Sequence, residues 1–160
     1  MADAKANLER LGLTLPEVVP PVAAYRPAVR SGDYVYVSGQ LPIVGGELAG
    51  TGKVGAEVDP ERAFELARIC ALNGIAALGS VAELDGVARI AKVTGFVASA
   101  PGFTGQPQVI NGASELLGEV FAEAGEHARS AVGVAELPLG APVEVELVAE
   151  LAPTAKVHLV

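Results

Sequence analysis

The chain has no tryptophan and few other aromatic residues, three Tyr and four Phe. Proteins that hold single-stranded nucleic acids stack the bases on aromatic side chains, so this composition offers few such platforms. Basic residues are also scarce, and the formal net charge of −8 makes the surface repel phosphate backbones, whose binding depends on Lys and Arg. These two shortages argue against a nucleic-acid-binding function.

Cysteine and histidine are equally sparse. The single thiol, Cys70, cannot form a disulfide within the chain, and its helical apolar pattern indicates a buried structural residue in a reducing compartment. With only His127 and His158, the sequence lacks an ordinary metal-ligand set, and we expect no metal and no cofactor. We interpret His127 as a surface or loop residue.

Long apolar runs are missing as well. No stretch approaches the roughly 20 apolar residues of a membrane span, because charges, Gly and Pro interrupt every run. Residues 1–15 show no basic region followed by an apolar one, as a secretion signal would. We therefore expect a cytoplasmic protein with no membrane segment.

The residues that are present suffice for a core, since 51% of the chain is hydrophobic. The length of 160 residues fits one domain over residues 1–160, with an N-terminal extension at 1–20 and a C-terminal tail at 153–160. After a short helix over residues 2–11, hydrophobic periodicity predicts the order β-β-α-β-α-β-β. The predicted strands cover residues 25–30, 34–38, 88–99, 129–135 and 143–151, and the two long helices cover 60–79 and 108–124.

Local signals mark several of these boundaries. A turn at Gly32-Asp33 predicts a hairpin of the first two strands. Asp59 can cap the first long helix, Pro60 suits its first turn, and Gly79 is a natural stop. Two helices cover only one face of a mixed sheet, so the other face must meet water or a partner.

Arg129 stands at one end of a row of small residues. Alternation places it on the same strand face as Ala131, Gly133 and Ala135, which leaves room beside the guanidinium for a ligand. A guanidinium binds a carboxylate through a planar fork of two donors. An ion pair with one of the 19 acidic residues is the simpler interpretation of this pattern taken alone.

The last strand carries carboxylates on one face, at Glu144, Glu146 and Glu150. Three such side chains usually mean a solvated face. However, this strand follows that of Arg129 through a short turn, which predicts that the two strands pair and that Glu144 or Glu146 lies near Arg129. A carboxylate in that position could hold a water for attack on a bound molecule.

Several motifs, taken together, resemble the Rid family of reactive-intermediate deaminases, also called the L-PSP endoribonuclease-like family. The matching segments are YVYVSGQLP at residues 34–42, Asn111 early in the second long helix, ARSAV at 128–132, LP at 137–138 and VEVE at 143–146. The resemblance runs in order from about residue 25 to residue 149. The N-terminal extension and the loop at 99–107 resemble a longer subgroup of that family.

The resemblance implies a chorismate-mutase-like α+β fold, in which a mixed sheet carries two helices on one face and the core of a homotrimer on the other. It implies pockets between subunits where Arg129 binds the carboxylate of a 2-imino acid such as 2-aminoacrylate. Water then attacks the imine carbon, and ammonia leaves a 2-keto acid. By the same resemblance Glu144 positions the water, and the remaining pocket residues are Tyr25, Ser38, Gly39, Asn111 and Ala131.

The sequence also departs from the family pattern near Arg129. His127 replaces a proline, Ala131 replaces the usual cysteine, and Gly133 replaces a glutamate. Three functions therefore remain open. The first is imine hydrolysis, the second is non-catalytic binding of a small carboxylate by the same trimer, and the third is the ribonuclease activity that charge and composition disfavour.

Overall fold

A computed structural model describes residues 3–18 and 24–153. The helices are α1 (Ala4–Arg10), α2 (Pro60–Gly79) and α3 (Gln106–Phe121); the strands are β1 (Ala28–Ser31), β2 (Tyr34–Gln40), β3 (Ile43–Val44), β4 (Glu47–Leu48), β5 (Val87–Ala98), β6 (Ala128–Val134) and β7 (Val143–Leu151). The predicted α+β order is confirmed, with the small β3–β4 hairpin as an addition. Parts of the predicted N-terminal extension, and the C-terminal tail beyond residue 153, lie outside the described residues.

Five strands form the main sheet, in the order β1-β2-β7-β5-β6. The β5–β6 pair is parallel, and the other neighbouring pairs are antiparallel. The predicted hairpin of β1 and β2 is confirmed, with Ser31 opposite Tyr34. In the middle of the sheet, Val93 of β5 lies between Leu147 of β7 and Arg129 of β6.

The predicted pairing of the last two strands is wrong, because β5 lies between β6 and β7. The chain from β5 to β6 passes through α3, and such a crossover produces a parallel pair. The segment 135–142 then needs to span only two strand spacings, about 10 Å, to bring β7 to the other side of β5. The Ala98 amide donates to the Pro142 carbonyl at 2.9 Å, which holds the end of this segment against β5.

Helices α2 and α3 pack on one face of the sheet. The alternate residues of β7 face them, as predicted, and Val143, Val145 and Leu147 are all buried. The opposite face, which we call the open face, keeps large apolar side chains in contact with solvent. Val29 is 49% exposed, Tyr36 52% and Val132 42%. No helix within residues 3–18 and 24–153 is long and apolar enough to cross a membrane.

The two long helices approach each other closely. Helix α2 begins as predicted, because the Asp59 carboxylate accepts the Arg62 amide at 2.7 Å. At Gly112 of α3, a side-chain Cβ would overlap the Phe64 carbonyl oxygen of α2, so the two backbones nearly touch there. Helix α3 ends earlier than predicted because Ala122 has a φ of 53°, and a 3₁₀ turn follows.

Candidate ligand site

Arg129 lies on the edge strand β6 and reaches toward helix α3. Its register partner Val93 is a core residue, so the Arg129 side chain starts on the helix-covered side of the sheet. The guanidinium Nη1 donates to Asn111 Oδ1 at 2.8 Å and to Ser114 Oγ at 3.1 Å. No acidic residue within the described ranges forms a salt bridge with Arg129. The simpler interpretation of the sequence, a structural ion pair, therefore lacks a partner in this part of the chain.

The small residues that follow Arg129 have different surroundings. Ala131 is partly buried and packs against the core. A Cβ at Gly133 would lie 2.8 Å from Gln106 Nε2 and 3.0 Å from Ser99 Oγ, so polar side chains fill the space there. The predicted room beside the guanidinium is therefore limited to the Arg129 end of the row.

His127 lies in the loop before β6, in agreement with the prediction of a surface or loop residue, but it is partly buried next to Arg129 and Ser114. Its ring is partly buried and uses both nitrogens. The Nδ1 atom lies 2.6 Å from the Gly125 carbonyl oxygen, and the Nε2 atom lies 2.9 Å from Ser114 Oγ. Ser114, which no sequence motif singled out, thus contacts both His127 and Arg129.

Glu144 occupies a separate place, on the open face of the sheet. Its register partner is Phe96 of β5, and that of Glu146 is Thr94. Burial raises the pKa of the Glu144 carboxyl group, and the negative charge of Glu146 adds to this effect. The Glu144 side chain runs over Gly39, where a Cβ would overlap its Oε1 atom. Gly39 must therefore lack a side chain if Glu144 is to keep this direction.

The residues predicted to share the pocket form two groups within one chain. Asn111, Arg129 and Ala131 belong to the first, on the helix-covered side. The second, on β2 and β7, contains Ser38, Gly39 and Glu144; Ser38 Oγ donates to the Arg26 carbonyl at 2.7 Å. Tyr25 precedes β1 and is 59% exposed. The prediction that Glu144 or Glu146 lies across a ladder from Arg129 is wrong. Strand β5 lies between β6 and β7, and the Arg129 side chain starts on the helix-covered face, whereas both glutamates lie on the open face.

A concavity on the open face adjoins the second group. Its volume is about 300 Å³, and it is lined by apolar and polar residues, among them Tyr36, Ser38, Thr94 and Glu146. Lys92 also lines it, with its Nζ atom donating to Ser130 Oγ at 2.9 Å. This concavity therefore carries one positive and one negative charge among apolar side chains.

The sequence and the fold both match known proteins. A family described as "YjgF/chorismate_mutase-like, putative endoribonuclease" matches residues 5–151. Protein TCP17 of Trypanosoma cruzi is 47% identical over 150 residues, covering 91% of this chain and 92% of the relative. A protein of unknown function from Agrobacterium tumefaciens has a solved structure with 45% identity and a TM-score of 0.84, with 92% of each chain covered.

A second solved structure agrees with this result. It is a "putative endoribonuclease" from Shewanella oneidensis, with 33% identity and a TM-score of 0.87, covering 92% of this chain and 99% of that one. The family match extends over most of the chain and includes every strand and long helix described above. The chain therefore belongs to the YjgF/chorismate-mutase-like family, which is also called the Rid or L-PSP family.

Proposed function

We propose that this protein hydrolyses small 2-imino acids, such as the imine tautomer of 2-aminoacrylate, to 2-keto acids and ammonia. The observation that carries the proposal is the state of Arg129. Asn111 and Ser114 hold its guanidinium, yet no carboxylate within the described ranges neutralises it. A fixed, half-buried guanidinium beside the small Ala131 is suited to binding a carboxylate from outside the chain.

We further propose that the working unit is a homotrimer with its pockets between subunits. The exposed apolar side chains of the open face support this assembly, because large apolar side chains grouped on one exposed surface commonly mark an interaction site. The separation of Arg129 from Glu144 supports it too. Since β5 and the two sheet faces divide them within one chain, a small ligand can touch both only where two subunits meet.

In this site the reaction requires orientation and proton transfer. Arg129 holds the carboxylate, which fixes the neighbouring imine carbon. Glu144 of an adjacent subunit accepts a proton from a water as that water attacks the imine carbon. Glu144 then passes this proton to the nitrogen, which gives an amino alcohol. Transfer of the hydroxyl proton to the nitrogen releases ammonia, and the hydroxyl oxygen becomes the carbonyl oxygen of the 2-keto acid. Burial favours this role, because a carboxylate with a raised pKa is the stronger base when ionised.

The test is to generate 2-aminoacrylate in solution and to follow the appearance of pyruvate with and without the protein. We expect a faster release of the keto acid in its presence, and light scattering should give three times the chain mass of 16.2 kDa. If the confirmed trimer gives no acceleration over buffer, imine hydrolysis is refuted. Calorimetric binding of 2-ketobutyrate without any turnover would instead support the non-catalytic binding protein.

Glu144 gives the proposal a second, sharper test. We expect Glu144→Gln to lower the rate of imine hydrolysis by about 100-fold, the usual effect of losing a general base. In the wild type, the rate should fall with acidification at a pH above that at which an unperturbed glutamate titrates, because the folded pKa is raised. Rate-against-pH profiles of both proteins measure this effect.

The matched control is Glu150→Gln, which removes a carboxylate from the same strand and face and should leave the profile unchanged. The Glu144 variant should also be at least as stable as the wild type near neutral pH. A raised folded pKa means that the ionised carboxylate costs stability above that pKa, and glutamine removes this cost. An unaltered profile in Glu144→Gln would exclude Glu144 as the base.

RNA cleavage is a second candidate, because the family and the Shewanella relative carry that description. The net charge of −8 and the absence of Trp oppose it, since binding a phosphate backbone needs basic groups and stacking needs aromatic ones. We expect no cleavage when trimeric protein is incubated with single-stranded RNA. Cleavage that persists in Arg129→Ala would assign the ribonuclease activity to a different site.

A further inference from the structure

We propose that Ser114 and His127 are positioning residues, which hold Arg129 so that the ligand's carboxylate meets the Nε–Nη2 edge of its guanidinium. The inference rests on the proposed function, because it describes how the same site binds its carboxylate. It concerns a histidine that replaces the proline of the family pattern and a serine that belongs to none of the motifs.

The Gly125 carbonyl determines the directions of the hydrogen bonds that lead through His127 and Ser114 to Arg129. The Gly125 carbonyl can only accept, so His127 Nδ1, 2.6 Å away, must carry a hydrogen. In the neutral ring, Nε2 then has a lone pair and accepts the Ser114 hydroxyl hydrogen at 2.9 Å. The lone pairs of Ser114 Oγ are left for Arg129 Nη1, which donates to them at 3.1 Å.

These contacts use one nitrogen of the guanidinium completely. Nη1 has two hydrogens, and it donates one to Asn111 Oδ1 and one to Ser114 Oγ. Within residues 3–18 and 24–153, Arg129 Nε and Nη2 have no recorded hydrogen-bond partner. The Nε–H bond and one Nη2–H bond point in parallel from the same edge, which matches the two oxygens of a carboxylate. The ligand should therefore bind side-on at this edge.

Helix α3 supports Arg129 in two ways, directly through Asn111 and Ser114 and indirectly through the turn that carries Gly125. Asn111 and Ser114 are three residues apart and so lie on one face of the helix. At the other end, a Cβ on Gly125 would overlap the Leu117 carbonyl oxygen, so the Gly125 backbone rests directly on α3. His127 thereby connects the start of β6 to the same helix that holds Nη1. A binding group whose partners are themselves fixed loses less freedom when it binds its ligand.

The binding test compares Ser114→Ala, His127→Phe and His127→Gln by calorimetry with 2-ketobutyrate. We expect the alanine and phenylalanine variants to bind about tenfold more weakly, because each removes a hydrogen bond that orients a charged group. Glutamine should stay within about threefold of the wild type, since its Oε1 can accept the Ser114 hydroxyl hydrogen. Wild-type affinity in Ser114→Ala and His127→Phe, or equal losses in the Phe and Gln variants, would overturn the inference.

The matched control is Ser80→Ala at the end of α2. Ser80 is more exposed than Ser114, and its hydroxyl donates only to the Ala77 carbonyl, at 2.7 Å. We expect this variant to bind 2-ketobutyrate like the wild type. Thermal unfolding of all four variants identifies any loss of binding that comes from a loss of folded protein.

A measurement without ligand separates this inference from the proposed function. Nitrogen NMR should show His127 protonated at Nδ1 and unprotonated at Nε2, with assignment by comparison with His127→Gln. The Arg129 Nε–H signal should be sharp in the wild type and broadened in His127→Phe. An Nε2-protonated neutral ring, or an unchanged Arg129 signal, would overturn the positioning role. If these spectra agree but no carboxylate binds the wild type, the proposed function fails and the support of Arg129 stands.

Discussion

Replacing Arg129 with alanine is expected to weaken the binding of 2-ketobutyrate by about 100-fold or more and to reduce imine hydrolysis at least as much. The estimate follows from losing two charge-assisted hydrogen bonds to one carboxylate, each contributing about 1.5–3 kcal/mol. Arg129→Lys keeps the charge but loses the planar fork, so it should recover only part of the affinity. Calorimetry and the keto-acid assay measure the two effects.

The control for charge is Arg89→Ala on the neighbouring strand β5. Its side chain is 67% exposed, with only a long contact of 3.9 Å to Glu150. Both alanine variants change the net charge by the same amount, so a general electrostatic effect on an anionic ligand would appear in both. If Arg129→Ala binds 2-ketobutyrate as tightly as Arg89→Ala does, the carboxylate site lies elsewhere.

A second large effect is expected for the stability of the fold. Gly112→Ala should lower the free energy of unfolding by about 3 kcal/mol, because the new methyl group would overlap the Phe64 carbonyl oxygen and force α2 and α3 apart. Urea unfolding measures the loss. Since Asn111 precedes Gly112, the displaced helix should also weaken the contact between Asn111 and Arg129.

Helix α3 contains its own control for this substitution. Gly118 is in the same helix, and no neighbouring atom lies within 4 Å of a Cβ built there. Gly118→Ala should therefore raise the free energy of unfolding by up to about 1 kcal/mol, through the higher helix propensity of alanine. Alanine is thus expected to lower the free energy of unfolding at position 112 and to raise it at position 118. A neutral or stabilising Gly112→Ala would contradict the close contact between the helices.

Features with local causes could be predicted from the sequence. The strict alternation of Val143–Leu151 gave the bounds of β7, because a strand with one buried face must repeat every two residues. The capping carboxylate of Asp59 and the following proline gave the start of α2. The β1–β2 hairpin could also be predicted from a local signal, because Gly32 readily adopts the φ of 60° that the turn requires.

The neighbours of β6 could not be predicted in the same way. Strand pairing depends on where the chain returns to the sheet after crossing it through a helix. The short connection between β6 and β7 suggested that these strands are neighbours, but they are not. Strand β5 separates the strands of Arg129 and Glu144, and the two side chains also lie on different faces of the sheet. The resemblance predicts that the two residues share a pocket, but one chain alone does not bring them together.

The contacts of Arg129 were only partly visible in the sequence. The spacing of Asn111 and Ser114 by three residues places both on one face of α3. His127 comes two residues before Arg129, in the loop that leads into β6. Those spacings could have singled out Ser114 and His127. The accepting carbonyl of Gly125 could not have been found, because its direction depends on the contact between a turn and the end of α3.

Gly39 of the SGQ motif meets a structural requirement that the motif itself does not reveal. The direction of the Glu144 carboxylate depends on an absent side chain one strand away, at Gly39. Any larger residue at position 39 would have to displace that carboxylate. The direction of Glu144 can therefore be changed by a substitution on the neighbouring strand, without altering the glutamate itself.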